Sequence, residues 1–278
     1  MSIIAVPRPV RRYRIGLGPC LIAVVATFMV LGPFVAFHDP VRQDLLHALA
    51  PPSAAHWLGT DHLGRDVLAR LLHGAPRSLG IALVCVAAAC ILGTTLGLIA
   101  AWYGRGVDAT LMRLADLTLA FPGILLALVL SGLMGGGIVP MLIGIKLALW
   151  PQFARLARAI GVGILAEAHV EAARLAGFGP GRILSRHVLP AVARQTVTLA
   201  TLGIGSAIMS ISALGFLGLG LQPPTPEWGA MISEMLPYVS EAPVQIAAPC
   251  ILIFLTILGF TLTGEGLSSG TGRLGLPE

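Results

Sequence analysis

Residues 117–145 read LTLAFPGILLALVLSGLMGGGIVPMLIGI, and they contain no charged residue over 29 positions. As one helix this stretch would be about 43 Å long, since each helical residue adds about 1.5 Å. The hydrocarbon core of a bilayer is only about 30 Å thick. Three glycines at 135–137 and Pro140 interrupt the run near its middle, and both residue types favour a turn. The stretch therefore predicts a helical hairpin made of two membrane spans, residues 117–134 and 138–154.

Four further apolar runs flank this hairpin and bring the predicted number of spans to six. They occupy residues 15–37, 78–104, 195–222 and 242–264. The first run follows a basic stretch, as the core of a signal peptide does. Its 23 residues exceed the roughly 7–15 of a signal-peptide core, so we interpret it as an uncleaved membrane anchor.

The composition of the whole chain agrees with a membrane protein. Hydrophobic residues make up 56% of its 278 residues, the mean hydropathy is +0.87, and charged residues make up only 11%. An ordinary globular domain has about 25% charged residues, so this chain could not cover a water-soluble surface. The net charge of +5 would suit a nucleic-acid-binding protein, but membrane proteins gain a basic excess in their cytoplasmic loops. We predict an all-α membrane protein that contacts membrane lipids and binds no nucleic acid.

The distribution of basic residues predicts the side of the membrane on which each loop lies, because cytoplasmic loops are enriched in arginine and lysine. With the N-terminus inside, 13 of the 18 basic residues fall in the cytoplasm, four fall outside, and Lys146 falls within the fourth span. We therefore predict six spans with both termini in the cytoplasm. The predicted segments are a cytoplasmic arm with the first span at 1–37, a periplasmic loop at 38–77, a five-helix core at 78–266 and a cytoplasmic tail at 267–278.

The loop at 155–194, which this orientation places in the cytoplasm, is long enough to hold folded structure. Its apolar residues recur at the three- and four-residue spacing of helices up to a break at residues 177–181, GFGPG. The pattern predicts a helix, a tight turn and a second helix that ends towards Pro190. Alanines at 172 and 173 would let another surface approach closely, which favours a docking site. An amphipathic helix lying on the lipid headgroups is the alternative.

Residues within this loop resemble the EAA motif of the membrane subunits of binding-protein-dependent ABC importers. The matching residues are Glu171, Ala172, Ala173, Gly177, Leu189 and Pro190. The resemblance implies that these six residues couple the chain to an ATPase. Position 187 is a histidine, where the general pattern often has isoleucine. Histidine at that position is common in the peptide and nickel branch of the family, so this residue narrows the resemblance to that branch.

Two further segments resemble the C-type permease subunits of that branch, which serve dipeptide, oligopeptide and nickel importers. One is residues 56–66, HWLGTDHLGRD, and the other runs from FLGLG at 216–220 to PPTPEWG at 223–229. The resemblance implies that these outer segments lie where a substrate-binding protein docks. The candidate contact residues are His62, Arg65, Glu227 and Trp228. We also expect Asp61, Arg65 and Asp66 to fix the loop by ion pairing and helix capping.

The resemblance implies a type I ABC importer fold with a cytoplasmic coupling helix pair. It also implies four kinds of contact: a second homologous permease subunit, two cytoplasmic ATPase subunits, a periplasmic or extracellular substrate-binding protein and membrane lipids. The sequence agrees that ATP hydrolysis belongs to a partner. A Walker A loop ends in Gly-Lys-Ser or Gly-Lys-Thr, whereas the single lysine here, Lys146, follows Ile145. We expect a transport subunit of a bacterial inner membrane that has no catalytic residue and no cofactor.

Lys146 is the candidate residue for the translocation pathway. A lysine at the centre of a membrane helix costs about 2.5–3.5 kcal/mol on insertion scales, so it should face a wet cavity or an acidic partner. Snorkelling of its side chain to the membrane interface is the alternative. In a cavity, its charge would favour substrates that carry carboxylates and oppose a bare divalent cation.

Five of the seven histidines, at positions 38, 47, 56, 62 and 73, fall in the predicted outer loop. Imidazoles there could meet a nickel-like ion. None of them has a close sequence spacing to carboxylates of the kind that dedicated metal sites show. We therefore predict no metal site in this chain.

Two questions of function stay open on the sequence alone. An intramembrane enzyme is the alternative to a transport subunit, although no His-Glu-x-x-His helix occurs and nearly all histidines lie outside the spans. Within the resembling branch, the substrate could be nickel, a metal chelate or short peptides, and a dipeptide or oligopeptide permease would have no metal role. Residues 56–66 lean towards nickel-type members, whereas Lys146 opposes a bare cation.

Overall fold

The computed structural model describes the backbone of residues 12–271 and the side chains of residues 16–268. Within that range the regular elements are helical, which confirms the predicted all-α class. The α-helices are α1 Arg12–Val35, α2 Val67–Tyr103, α3 Arg105–Leu119, α4 Gly123–Leu133, α5 Ile138–Leu165, α6 Ala168–Leu175, α7 Pro180–Ile183, α8 Leu189–Phe216, α9 Trp228–Met235 and α10 Pro243–Thr271. The beginning of the predicted cytoplasmic arm and residues 272–278 of the predicted tail lie outside the described residues.

Four helical stretches are long and apolar enough to cross a membrane: Gly16–Val35, Val67–Tyr103, Pro180–Phe216 and Pro243–Ser268. They overlap the first, second, fifth and sixth predicted spans, so these four runs are confirmed as apolar helices. α3 and α4 pass the same test only together, as a pair bent by 84°. The described residues thus supply four such helices, or five when the bent pair is counted as one span. The total of six spans stays a prediction.

The predicted hairpin is present, but its first half is not the single helix 117–134. The chain turns at the glycines 135–137 as expected, and α5 begins immediately after them. The preceding helix is broken at residues 120–122, where α3 and α4 meet at the 84° bend. Pro122 explains the break, because proline has no N–H and its ring collides with the preceding helical turn. α4 has only 11 residues and is about 16 Å long.

α3 carries charged residues and is attached to α5 by two ion pairs. Arg155 donates a hydrogen bond to Asp116, and Arg158 donates to both carboxylate oxygens of Asp108. Asp108 precedes Asp116 in α3, whereas its partner Arg158 follows Arg155 in α5. The two helices are therefore antiparallel at this contact. α3 therefore lies alongside the C-terminal half of α5, where charged groups can stay outside the hydrocarbon.

The helix that contains the second predicted span begins before that span, within the segment assigned to the outer loop. α2 starts at Val67, because Asp66 caps the helix and accepts a hydrogen bond from the N–H of Ala69 at 2.6 Å. Aspartate is favoured at this position because it satisfies an N–H group that has no partner within the helix. The capping role expected for Asp66 is confirmed.

The second helix of the loop 155–194 does not end towards Pro190, as predicted, but continues into α8 through a π-helical turn, Leu184–Val188. In that turn the N–H of Leu189 donates to the carbonyl of Leu184, five residues earlier. A proline inside an α-helix collides with the carbonyl four residues before it. The wider turn directly before Pro190 lets the helix pass the proline with a local distortion instead of a stop.

At the centre of the bundle, α2 packs along α5 over most of its length. Gly93 and Gly97 of α2 face α5 so closely that an added Cβ would collide with the backbone at Trp150 and Ala154. The contact also buries Phe153. In lipid the hydrophobic effect does not drive helices together, so such close approach of small residues is the main source of their association.

α2 has 37 residues and is about 55 Å long, so its two ends lie far apart. Its N-terminal end contacts the segment that precedes it and α9, and we call this part of the molecule the loop end. Its C-terminal end carries Trp102, which packs against α6 and α7. We call that part the α6 end.

Four charged side chains meet at the loop end, and we call them the ionic cluster. Asp61 Oδ2 lies 2.6 Å from both Arg65 Nε and Arg70 Nη1. Glu234 Oε2 lies 2.6 Å from Arg65 Nη2 and 2.7 Å from Arg70 Nη1. Burial acts to raise the pKa of Asp61, but the charges of Arg70 and Arg65 outweigh it and hold that pKa below its usual value. The cluster joins the beginning of α2 to α9.

Two neighbouring residues at the start of α9 also hold this helix against α2. The Glu227 carboxylate accepts hydrogen bonds from two N–H groups of α9 at 2.9 Å and from the Ser78 hydroxyl at 3.2 Å. Burial raises the pKa of Glu227, against the lowering effect of these bonds. The Trp228 indole N–H donates to the carbonyl of Leu71 at 3.1 Å. Both side chains are fully buried.

We expect Asp61→Asn to destabilise the loop end, because it removes a charge that compensates two buried guanidinium groups. Removing one partner of a buried ion pair typically costs about 3–5 kcal/mol. Thermal unfolding of the purified protein in detergent should therefore show a clearly lower midpoint. Asp44→Asn is the matched control, since Asp44 is exposed and pairs with the exposed His47. Equal midpoints for the two variants would show that the cluster is not required.

Candidate functional site

The α6–α7 hairpin at the α6 end is closed by a glycine turn. The N–H of Gly177 donates to the carbonyl of Arg174 at 2.9 Å, and the N–H of Phe178 donates to the carbonyl of Ala173 at 3.1 Å. These two bonds form the pattern with which many helices end in a left-handed residue. Gly177 has φ +81°, which side-chain-bearing residues rarely adopt. The predicted helix–turn–helix is confirmed, and its turn depends on glycine at position 177.

Buried apolar residues fix the hairpin to the rest of the protein. Val170 and Ala173 of α6 and Ile183 of α7 are buried against Trp102 of α2 and the end of α5. The guanidinium group of Arg174 lies 5.2 Å from the ring centroid of Trp102, within the range of a cation–π contact. The hairpin is therefore seated on the ends of α2 and α5, the helix pair at the centre of the bundle.

The opposite face of the hairpin is exposed. Glu171 and Ala172 lie on it, together with Leu175, which is 85% exposed, and Phe178, which is 38% exposed. A carboxylate beside protruding apolar side chains on a firmly packed support is suited to binding another protein. The sequence does not distinguish Leu175 and Phe178 from core residues, because a helix this short has no clear periodicity.

The six residues predicted to couple the chain to an ATPase do not all lie on the hairpin. Five of them are exposed: Glu171, Ala172, Gly177, Leu189 and Pro190. Ala173 is only 8% exposed and packs beneath α6, so it supports the surface from below. Leu189 and Pro190 lie at the start of α8, beyond the π turn.

The histidine at position 187 connects the π turn with α6. Its ring centroid lies 5.4 Å from that of His169, and its side chain is half-buried. His169 Nδ1 lies in turn 3.0 Å from Glu167 Oε2. The π turn and α6 are therefore in direct side-chain contact.

Lys146 lies on α5, eight residues after the first residue of the helix, which corresponds to about 12 Å. Its side chain is half-buried, and no carboxylate pairs with it among the side chains of residues 16–268. The turn that precedes α5 is attached to the segment after α8, because the N–H of Gly137 donates to the carbonyl of Leu219 at 3.2 Å. The sequence predicted either a wet cavity or an acidic partner around Lys146. An acidic partner among the described residues is excluded.

Three of the four residues predicted to contact a binding protein are buried. Arg65 is 2% exposed in the ionic cluster, and Glu227 and Trp228 are 0% exposed between α9 and α2. A side chain without exposed surface cannot touch a docked protein, so the prediction of direct contact is wrong for these three. The expected pairing of Asp61 with Arg65 is confirmed. His62 is half-buried and stays a candidate.

Large apolar side chains that the sequence pattern did not single out are exposed at the loop end. Leu45, Leu46 and Trp57 are 68%, 94% and 64% exposed. Exposed apolar side chains in a loop mark surfaces that bind proteins or membranes. Hydropathy alone could not identify them, because the same residue types fill the membrane spans.

Two groups of side chains at the loop end could hold a metal ion. They are His38 with His56 and Asp66, and Asp61 with His62 and Glu234. In each group the candidate ligand atoms lie within 4.8 Å of one another. Spacing along the sequence did not indicate either group, because folding brings His38 to Asp66 and Glu234 to Asp61.

One pentapeptide matches an enzyme motif by letter. Residues 266–270 read GLSSG, which fits the Gly-x-Ser-x-Gly pattern of serine hydrolases. In those enzymes the serine lies on a sharp turn between a strand and a helix. The pentapeptide here lies within α10, so it does not form such a turn.

Comparison with known proteins places these features in a family. The model of the family described as "binding-protein-dependent transport system inner membrane component" matches residues 93–264. The dipeptide transport system permease protein DppC of Alkalihalophilus pseudofirmus is 39% identical over 250 residues, which cover 90% of this chain and 82% of the relative. The nickel transport system permease protein NikC of Escherichia coli K12 is 35% identical, with 92% of each chain covered. The glutathione transport system permease protein GsiD of Pectobacterium atrosepticum is 42% identical, with 78% and 72% covered.

Solved structures of the MetNI methionine ABC transporter in inward-facing conformations have a similar fold. One of them aligns with a TM-score of 0.57 at 17% identity and covers 72% of this chain and 95% of the matched chain. At that identity the likeness shows the type I importer fold and nothing finer.

The family match includes the α6–α7 hairpin, the π turn and Lys146, all within residues 93–264. The relatives are transport permeases, and ATP hydrolysis in such importers belongs to separate subunits. The alternative of an intramembrane enzyme is therefore wrong. The chain belongs to the binding-protein-dependent ABC importer permeases of the peptide and nickel family.

Proposed function

We propose that this permease forms one half of a translocation pathway and that a second homologous permease forms the other half. The length of α4 supports a partner, since its roughly 16 Å covers about half of the hydrocarbon core. Backbone groups at the ends of so short a helix must be covered by protein or water, because lipid cannot satisfy them. Leu125, Val129 and Leu133 of α4 are also exposed in the single chain, which leaves an apolar surface for a neighbouring helix.

The same proposal includes six membrane crossings with both termini in the cytoplasm of a bacterial cell. The bent pair α3–α4 is the third crossing and α5 is the fourth. α5 suits a crossing because Lys146 is the single charged residue within 138–154, while Arg155 and Arg158 pair with α3 beyond that range. The basic residues at the α6 end support a cytoplasmic location for it, because cytoplasmic loops are enriched in arginine and lysine.

The α6–α7 hairpin is the proposed docking site for a cytoplasmic ATPase subunit. The observation that carries this proposal is the combination of an exposed face, with Glu171 and Leu175, and a buried face seated on α2 and α5. A displacement of the hairpin by the ATPase would be passed to these two helices through packed side chains. Rigid-body tilting of the spans would then switch a central cavity between inside-facing and outside-facing states.

A short peptide or a metal chelate that carries carboxylates is the proposed substrate, delivered to the loop end by a binding protein. The relatives named above transport dipeptides, glutathione and nickel. Lys146 lacks a carboxylate partner within the described part of the chain, so its charge is available to attract an anionic substrate group. The exposed Leu45, Leu46 and Trp57, with His62, support docking of the binding protein at the loop end.

We expect Glu171→Lys and Gly177→Asp to leave the permease in the membrane but to reduce ATP-driven uptake at least about tenfold. The first reverses the charge of the proposed contact, and the second strains the turn; a loss of about 1.4 kcal/mol in docking is a tenfold effect. Uptake into proteoliposomes and ATPase stimulation by the loaded binding protein measure the effect.

The matched control for these variants is Arg113→Glu, a charge reversal at an exposed arginine of α3, which belongs to neither the hairpin nor the loop end. It should leave ATPase stimulation unchanged. Normal uptake and normal stimulation in both hairpin variants would show that the hairpin is not the docking site.

For Lys146 we expect a methionine variant to insert at least as well as the wild type, because removal of a charge from a membrane helix relieves about 2.5–3.5 kcal/mol. Uptake of a labelled dipeptide should fall several-fold, mainly through a higher KM. Lys146→Arg, which retains the charge, should stay closer to the wild type. Unchanged uptake of dipeptide and of chelated nickel by Lys146→Met would remove this residue from the pathway.

A further inference from the structure

His38, His56 and Asp66 meet at the loop end although they are distant in the sequence. His56 Nδ1 lies 2.8 Å and His38 Nδ1 lies 3.8 Å from Asp66 Oδ2, and the two imidazole centroids are 4.8 Å apart. We propose that these three side chains bind a divalent transition-metal ion, and we call them the His–His–Asp site. This ion is held by the permease itself, so the proposal does not depend on the transported substrate.

The spacing of the three ligand atoms suits an ion such as Zn²⁺. Zinc binds imidazole nitrogen and carboxylate oxygen at about 2.0–2.2 Å, so tetrahedral ligand atoms lie about 3.3–3.5 Å apart. The observed distances of 2.8 and 3.8 Å lie on either side of that value. Each of these two distances would change by about half an ångström to reach it, and all three ligand atoms lie within 4.8 Å of one another.

Two of the ligands are already held in position by the fold. Asp66 uses Oδ1 to cap α2 through the N–H of Ala69 and presents Oδ2 to the histidines. The backbone of His56 is fixed by Ser53, whose N–H donates to the His56 carbonyl at 2.8 Å and whose hydroxyl accepts from the His56 N–H at 3.1 Å. Such support fixes the orientation of metal ligands.

The site has space for the remaining ligands of an ion. The three side chains line a cavity of about 240 Å³, which is enough for several water molecules. Asp39 and Asp44 also line the cavity and outnumber Arg42 on its wall. The field there favours a cation, and water or a further carboxylate can supply the open positions.

The other group of metal-ligand residues, Asp61 with His62 and Glu234, is a poorer cation site. Its carboxylate oxygens already pair with Arg65 and Arg70 at 2.6–2.7 Å. A metal ion would have to displace these guanidinium groups or lie beside their charges. The His–His–Asp site has no arginine bonded to its carboxylate among the described residues.

A bound ion would connect three parts of the loop end. His38 follows α1, His56 belongs to the loop, and Asp66 starts α2. Binding would replace the hydrogen bond between His56 and Asp66 with two bonds to the ion, and the neutral His56 ring would then carry its proton on Nε2. Because the ion binds the folded loop, it should stabilise the loop end by an amount that rises with the logarithm of its concentration above Kd.

The proposal is tested by titrating Zn²⁺ into the purified transporter in lipid nanodiscs, with an affinity tag that contains no histidine. The wild type should bind one ion at this site, as followed by isothermal titration calorimetry. His38→Ala should weaken binding at least about 100-fold, since even changes outside the ligand set cost about 10–100-fold in affinity. The variant should fold, because the His38 side chain is 43% exposed. Cobalt bound in place of zinc should give the visible absorption of a four-coordinate ion in the wild type only.

His47→Ala is the matched control, because it removes an exposed imidazole that pairs with Asp44 in the same loop at 2.8 Å. Its affinity for Zn²⁺ should equal that of the wild type, and zinc should raise the midpoint of thermal unfolding of both proteins. His38→Ala should lose that rise. No binding by the wild type, equal binding by His38→Ala, or an equal loss in His47→Ala would each overturn the proposal.

Discussion

Close packing of α2 against α5 is the contact on which the rest of the structure depends. Gly93 and Gly97 bring the two backbones together, and lipid offers no hydrophobic effect that could replace this fit. Because α2 is longer than the membrane is thick, the same helix begins in the loop end and ends beneath α6. The position of α2 against α5 therefore determines where both candidate surfaces lie.

The parts of the fold that local chemistry determines could be predicted from the sequence. Charge-free runs indicated the apolar helices, and glycines at 135–137 and at 177 indicated two turns. Pro122 predicts a kink in its helix, but the size of the 84° bend and the passage of the helix through Pro190 could not be predicted. Each depends on whether the surrounding structure accepts a distorted helix. The ion pair between Asp108 and Arg158 holds α3 against α5, and a π turn makes room for Pro190.

In the candidate sites, too, sequence patterns indicated which residues belong together, and only the fold shows where their side chains lie. The motif residues of the hairpin were found by their spacing, but their exposure was not, and Leu175 went unnoticed. Arg65, Glu227 and Trp228 belong to recognisable segments, yet a segment shows which residue types stand together and not which of them face water. His38 and Asp66 are separated by most of the outer loop, so their proximity follows only from the fold.

The ionic cluster also imposes an order on the synthesis of the protein. Arg65 and Arg70 lie 169 and 164 residues before their partner Glu234. At about 5–20 residues per second, translation of that interval takes roughly 8–35 s. During this time Asp61, four and nine residues from the two arginines, is the partner within reach. The loop end is therefore completed late, when α9 emerges, and until then the two arginines share a single carboxylate.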